Sequence, residues 1–145
     1  MGLFSPLLPI DHESVIAAIR IAEVKTSGAL HVMVVHHKVD DPVVEAQAYF
    51  TKHGMDKSAQ RNAVLIFIAP VSRKFAVIGD SGVHEKCGDT FWTDLTAAMS
   101  VYFKQGEFTD GLVHGVETAG DLLAAHFPRR AKDAPPAPPS VTDVD

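Results

Sequence analysis

Ala29-Leu30-His31-Val32-Met33-Val34-Val35 and Asn62-Ala63-Val64-Leu65-Ile66-Phe67-Ile68-Ala69 are two nearly unbroken apolar runs of strand length. A strand open to water on one face alternates apolar with polar residues, whereas one covered on both faces does not. Both runs therefore predict central strands with a layer on either side. Between them Asp41 offers a capping side chain ahead of Pro42 at a first helical position, and Val43 to His53 reads as a helix stopped by Gly54. A strand–helix–strand unit of this length is a crossover, which implies that the two strands run parallel.

Outward from this unit, Pro70-Val71-Ser72-Arg73 is a loop of hairpin length, and Lys74 to Ile78 follows as a third strand, antiparallel to the second and ended by Gly79. Upstream, Asp11 is placed to cap a helix on which Val15, Ile19 and Ala22 share a face, fading at Thr26-Ser27-Gly28. Downstream, a polar segment carries His84-Glu85-Lys86-Cys87. Asp89 or Thr90 then starts a helix with Phe91, Leu95, Ala98 and Tyr102 on one side, closed by Gly106. Thr109 or Asp110 starts the last helix, in which Leu112, Val116, Ala119, Leu123 and Phe127 keep helical spacing up to Pro128. The reading is a compact α/β/α sandwich: a small mixed sheet with a parallel β-α-β unit, an antiparallel hairpin and a C-terminal helical pair. Residues 1–10 form an N-terminal extension, residues 11–128 the α/β domain, and residues 129–145 a disordered proline-rich tail, with four of the nine prolines between Pro135 and Pro139.

The 145 residues, 46% of them apolar, suffice for one domain with one sizeable core. A net charge of −5 spread without blocks gives no attraction to nucleic acid or to an anionic membrane. No run approaches the roughly 20 apolar residues of a membrane span, so no membrane insertion is expected. Cys87 is the only cysteine, which rules out an internal disulfide and suits a reducing, cytoplasmic setting. Met1 to Ile10 lacks the basic start of a secretion signal and is broken by Pro6 and Pro9.

The topology makes a prediction about function. If the first two strands are parallel and the third returns, the starts of the first two lie at the same sheet edge as the end of the third. Lys25-Thr26-Ser27-Gly28, Arg61-Asn62 and Asp80-Ser81-Gly82 then meet at one rim, with a carboxylate, a carboxamide, hydroxyls and a guanidinium able to hold a hard cation or a phosphate. The same residue types also make turns and caps, so chain reversal alone can produce such a rim. Asp40-Asp41 and the Val71–Lys74 loop, at the opposite edge, are a thinner set. The eight histidines fall into no metal-binding spacing: His36-His37 ends a strand, His53 and His126 lie near helix C-termini, and His31 reads as a hydrogen-bonded core residue. Cys87 has Lys86 and His84 beside it to lower its pKa but no set of catalytic partners. Ser27 and Ser81 lack a nucleophile elbow, Gly79-Asp80-Ser81-Gly82 is no P-loop, and Trp92 with Phe91 reads as core packing.

Lys25-Thr26-Ser27-Gly28, Arg61-Asn62-Ala63-Val64-Leu65-Ile66, Arg73 to Gly82, Phe91-Trp92, Lys104-Gln105-Gly106 and Ala125-His126-Phe127-Pro128 stand in the order and spacing of the TPM domain family, which residues 11–128 resemble as a set of spaced blocks. The resemblance implies an α/β/α sandwich. It also implies acid phosphatase activity with divalent-metal binding, as assigned to some members, or a role as an assembly or accessory factor of membrane complexes, as in others. Many members carry a signal peptide and a membrane helix, and this chain resembles the stand-alone soluble branch. The family pattern often has Glu directly after Thr-Ser-Gly, where this chain has Ala29, leaving Asp80 as the main carboxylate of the rim.

Two expectations follow. In the enzymatic one, calcium or magnesium is held by Asp80, Asn62, Thr26 and Ser27. A phosphorylated substrate is held by Arg61, Asn62, Ser81 and Gly82, and Asp80 is the catalytic carboxylate in a weak, metal-assisted hydrolysis of a phosphomonoester. In the other, the chain is a non-catalytic interaction or assembly module that recognises a protein partner.

Overall fold

The computed structural model describes residues 10–133, 139 and 141–145; residues 1–9, all but the last residue of the N-terminal extension, lie outside that description, as do 134–138 and 140. In chain order the elements are α1 (His12–Glu23), β1 (Ala29–Val35), α2 (Pro42–Lys52), a 3-10 turn (Met55–Lys57), β2 (Ala63–Ala69), a second 3-10 turn (Pro70–Ser72), β3 (Lys74–Gly79), α3 (Ser81–Cys87), α4 (Asp89–Phe103), α5 (Phe108–His126) and β4 (Val141–Val144).

The sheet order is β3-β2-β1-β4. β1 and β2 are parallel with Ala29 opposite Ala63, and β2 and β3 are antiparallel with Val64 opposite Gly79. Every residue of β2 is buried, because helices cover both faces. Leu30, Val32, Val34, Val64, Ile66 and Ile68 point to the side of α1, α4 and α5, where Val15, Ile19, Phe91, Leu95, Leu112, Val116 and Leu123 complete one core. Met33, Val35, Leu65, Phe67 and Ile78 face α2 and pack with Ala46 and Phe50. This is an α/β/α sandwich, as the two apolar runs predict, and its mixed sheet has four strands.

Asp41 caps α2 by accepting from the amides of Val43 and Val44, Pro42 opens it, and Gly54 stops it with φ 70°. Asp11 caps α1 through the Ser14 amide. The expected caps of the last two helices are not formed. α4 starts after Gly88 and α5 after Glu107 without a side-chain cap, and the Thr109 hydroxyl instead accepts from the Asp11 amide at 2.9 Å. On α4 the inward stripe is Phe91, Leu95 and Met99, with Ala98 and Tyr102 only half-buried.

Two further expectations are corrected. The polar stretch after β3 is a helix, α3, although it offers one buried side chain, Val83; its hydrogen bonds to Asp80 and Arg61 stand in for an apolar face. The segment assigned to a disordered tail contains β4, which lies parallel to β1 with Val141 opposite Val32 and Val144 opposite Val35. Strand addition draws on backbone groups and needs few apolar side chains, so low hydropathy did not prevent it. Arg129 also belongs with the domain, its amide donating to the Lys25 carbonyl and its guanidinium to the Glu23 carbonyl.

Candidate functional site

The β1–β2–β3 topology brings the three predicted segments to one rim. Thr26 precedes β1, where the chain also forms an isolated antiparallel bridge to Pro128. Its hydroxyl donates to the Phe127 carbonyl at 2.5 Å and accepts from the Gly28 amide at 3.1 Å. The Asn62 carboxamide donates to the Ser27 hydroxyl at 3.2 Å, and Gln60 donates to the same oxygen at 3.0 Å. Ser58 closes the other side of Asn62 by accepting from its amide. Thr26, Asn62 and Asp80 are all buried.

Asp80 ends β3 and begins α3. Its amide donates to the Ala63 carbonyl, one carboxylate oxygen accepts from the Ser81 amide at 2.7 Å, and the other accepts from Arg61 Nε at 2.7 Å. Burial pushes this carboxyl up, but the Arg61 hydrogen bond, the Ser81 amide and the positive charge of Arg61 outweigh it and hold Asp80 below the ordinary aspartate range. Arg61 adopts a left-handed backbone, φ 52°, to reach it. Gly82 donates its amide to the Arg61 carbonyl at 2.8 Å, and a side chain there would begin 2.2 Å from the Gln60 carbonyl. Gly82 is thus a point of close backbone contact, with its N–H already committed.

Asp56, in the first 3-10 turn, was missed by the sequence reading. One of its carboxylate oxygens is buried without a hydrogen-bond partner, and its charge reaches Arg61. Spacing gives no signal for it, since a 3-10 turn has no periodicity to read.

A divalent ion, implied by the family resemblance, needs several oxygen donors converging on one point. Here the Asp80 oxygens, the Asn62 carboxamide and the Thr26 hydroxyl are each turned onto protein partners. Among the described residues no group of three His, Cys, Asp or Glu side chains gathers where an ion could be held. These residues do not fit that ion.

The remaining chemically suggestive groups are structural. Burial pushes the Cys87 thiol up, opposite to the lowering expected from Lys86 and His84. His84 accepts from the Trp92 indole at 3.0 Å, and Trp92 packs across Gly79. His31 is half-buried on the α2 side with no hydrogen-bond partner among the described residues, and burial, with His53 nearby, lowers its pKa. No described helix is long and apolar enough to cross a membrane.

The family model for the TPM domain matches residues 5–122. The NMR structure of BA42 protein from the psychrophilic bacterium Bizionia argentinensis is similar at 34% identity and TM-score 0.84, over 91% of each chain. The N-terminal domain of cg2496 protein from Corynebacterium glutamicum shares the fold at 16% identity and TM-score 0.62, over 77% of this chain and 70% of that one. No curated protein matches.

Proposed function

The chain belongs to the TPM domain family, and from that premise we propose that it works as a non-catalytic interaction module whose Asp80 rim is an internal latch. The observation that carries this reading is the commitment of the rim's donors. Both Asp80 oxygens are bonded within the chain, one of them to Arg61 Nε, and the negative charges of Asp80 and Asp56 act on the Arg61 guanidinium. A phosphate arriving there meets two carboxylates and an arginine whose Nε is already bonded. Exposed apolar side chains favour a contact role elsewhere. Val43 and Val44 on α2 and Val71 in the β2–β3 turn project from segments tied together by the Val39 amide and the Ser72 hydroxyl.

The phosphomonoesterase reading draws on a different observation, the half-exposed Arg61 guanidinium beside a buried carboxylate. One experiment separates the two. A chromogenic phosphomonoester is offered to the protein with millimolar calcium or magnesium, and the amide spectrum is followed during the same ion titration. The module reading expects no turnover above the protein-free rate and no saturable shift at Asp80, Ser81 or Asn62. Ion-dependent turnover that disappears in Asp80→Asn would overturn it.

A further inference from the structure

Three of the eight histidines, which spacing alone leaves unremarkable, gather on β4 at the sheet edge opposite the Asp80 rim. His12, from the start of α1, and His36, just past β1, both direct Nε2 at the carboxylate of Asp143, at 2.5 and 2.9 Å. The other ring nitrogen of His12 faces the Ile10 carbonyl at 3.0 Å. His37 faces the main-chain oxygen of Asp145 with Nδ1 at 2.9 Å and the Glu45 carboxylate of α2 with Nε2 at 2.6 Å. An imidazole whose two nitrogens both face acceptors satisfies both only as the imidazolium. His12 and His37 meet that condition, so the clasp is built for charged rings.

The backbone supplies the rest of the site. β1 is a long apolar strand whose outer edge would otherwise present unpaired amides and carbonyls. β4 pairs with Val32–Val35, and the His36 amide donates to the Val144 carbonyl at 2.8 Å. Val141 packs toward the α1–α5 core and Val144 toward the α2 core, as alternate strand positions should. Backbone pairing, two apolar seats and one carboxylate read by two histidines together make a strand-recognition site.

We propose that the outer edge of β1 is an exchangeable strand-binding site for a short Val-x-Asp-Val segment. The chain's own Val141–Val144 fills it below neutral pH and vacates it as the pH rises, and the same segment of a second copy is the occupant that can replace it. The charged and titratable groups facing the site are Asp11, the cap of α1, and His12 from α1, His36 and His37 after β1, Glu45 from α2, and Asp143 and Asp145 of the segment itself. The hydrogen bond to Asp143 raises the His12 pKa, and the main-chain oxygen of Asp145 with Glu45 raises that of His37. Burial pushes Asp143 up, but His36 and His12 outweigh it and lower it. The sign follows from linkage. The histidine contribution is complete below the ordinary value of 6.5 and is lost as pH rises through the raised values, while that of Asp143 is lost only below 3.8.

The test offers a labelled Ser-Val-Thr-Asp-Val-Asp peptide to the full chain and to its Asp143→Asn variant, whose own segment competes less well. At about pH 6 the variant should bind the peptide at least roughly tenfold more tightly than the parent, and about tenfold less tightly at about pH 8.5. A peptide with Asn in place of the first Asp should bind neither. Equal affinity for both chains, or affinity indifferent to pH, overturns the proposal. A second measurement needs no variant. In the parent chain, protection of the His36 amide from hydrogen exchange, corrected for the intrinsic rate, should fall between those pH values while that of Leu65 in β2 holds. If the two amides keep the same ratio, the segment is not released and the proposal fails.

Discussion

Arg61 and Asp80, 19 residues apart, meet through Nε and a carboxylate oxygen at 2.7 Å, joining the chain two positions ahead of β2 to the residue after β3. The pair is asymmetric. The Asp80 side chain is 4% exposed and that of Arg61 is 49% exposed. Water therefore screens the cation, and the bond's main effect is to satisfy a carboxylate that the fold has buried. Asp80 also caps α3, so one side chain fixes the strand end, the helix start and the neighbouring strand's entry.

Replacing that carboxylate should be felt as stability. Asp80→Ala removes the cap and leaves the Ser81 amide without its acceptor, and a loss of about 1–3 kcal/mol is expected in urea unfolding. Asp80→Asn keeps an acceptor and should lose less. Since the folded Asp80 pKa is lowered from 3.8, its contribution is present above that value and fades as pH falls through the lowered one. The parent should thus converge on Asp80→Asn in acid, and a constant gap between their stabilities would contradict this account.

Gly82→Ala probes the same junction by contact. The new Cβ would lie 2.2 Å from the Gln60 carbonyl and 2.6 Å from that of Arg61, both backbone atoms that cannot swing aside. A destabilisation of about 2 kcal/mol or more is expected, with the amide shifts of Gln60–Asn62 displaced most. A neutral substitution would mean that α3 is free to slide off the rim.

The central strands were legible because the runs 29–35 and 62–69 can be covered only on both faces, and Asp41-Pro42 marks the start of the helix that crosses between them. Val15, Ile19, Ala22, Leu112, Val116, Ala119 and Leu123 are all buried where helical spacing put them. The meeting of Thr26-Ser27, Asn62 and Asp80 was legible for the same reason, being a consequence of strand direction. What the rim's atoms do with one another was not legible, because whether Asp80 faces an ion or Arg61 depends on side-chain direction, which spacing does not encode. α3 and β4 escaped because they are short and held mainly by polar contacts. The partners that draw β4 in, His12, His36 and His37, are more than 100 residues away from it along the chain.

Because β4 is docked, removing it should cost stability. A chain ending at Asp133 loses the pairing to Val32–Val35 and the seats of Val141 and Val144. With the entropy of ordering set against these contacts, a net loss of about 1 kcal/mol is expected, or roughly 3–5 °C in Tm, at about pH 6. At about pH 8.5, with the histidine clasp discharged, the shortened and full chains should melt closer together. An unchanged Tm at the lower pH would show that the strand contributes nothing to the fold.

Glu23 makes the opposite kind of prediction. It closes α1 with its carboxylate buried, and it accepts from the Leu30 amide at 2.8 Å. Burial raises its pKa above 4.5 despite the Leu30 amide and the positive charge of Arg129. The charged form is thus less favourable in the folded chain than in the unfolded one, so folding is weakened as pH rises from 4.5 through the raised value. Glu23→Gln keeps an oxygen for the Leu30 amide and removes the charge. It should be more stable than the parent at neutral pH and should lose that advantage as the pH falls below the ordinary glutamate value of 4.5. Unfolding free energies across that range check the sign: a variant that is weaker at neutral pH and equal in acid would mean that the Glu23 charge supports the fold through Arg129.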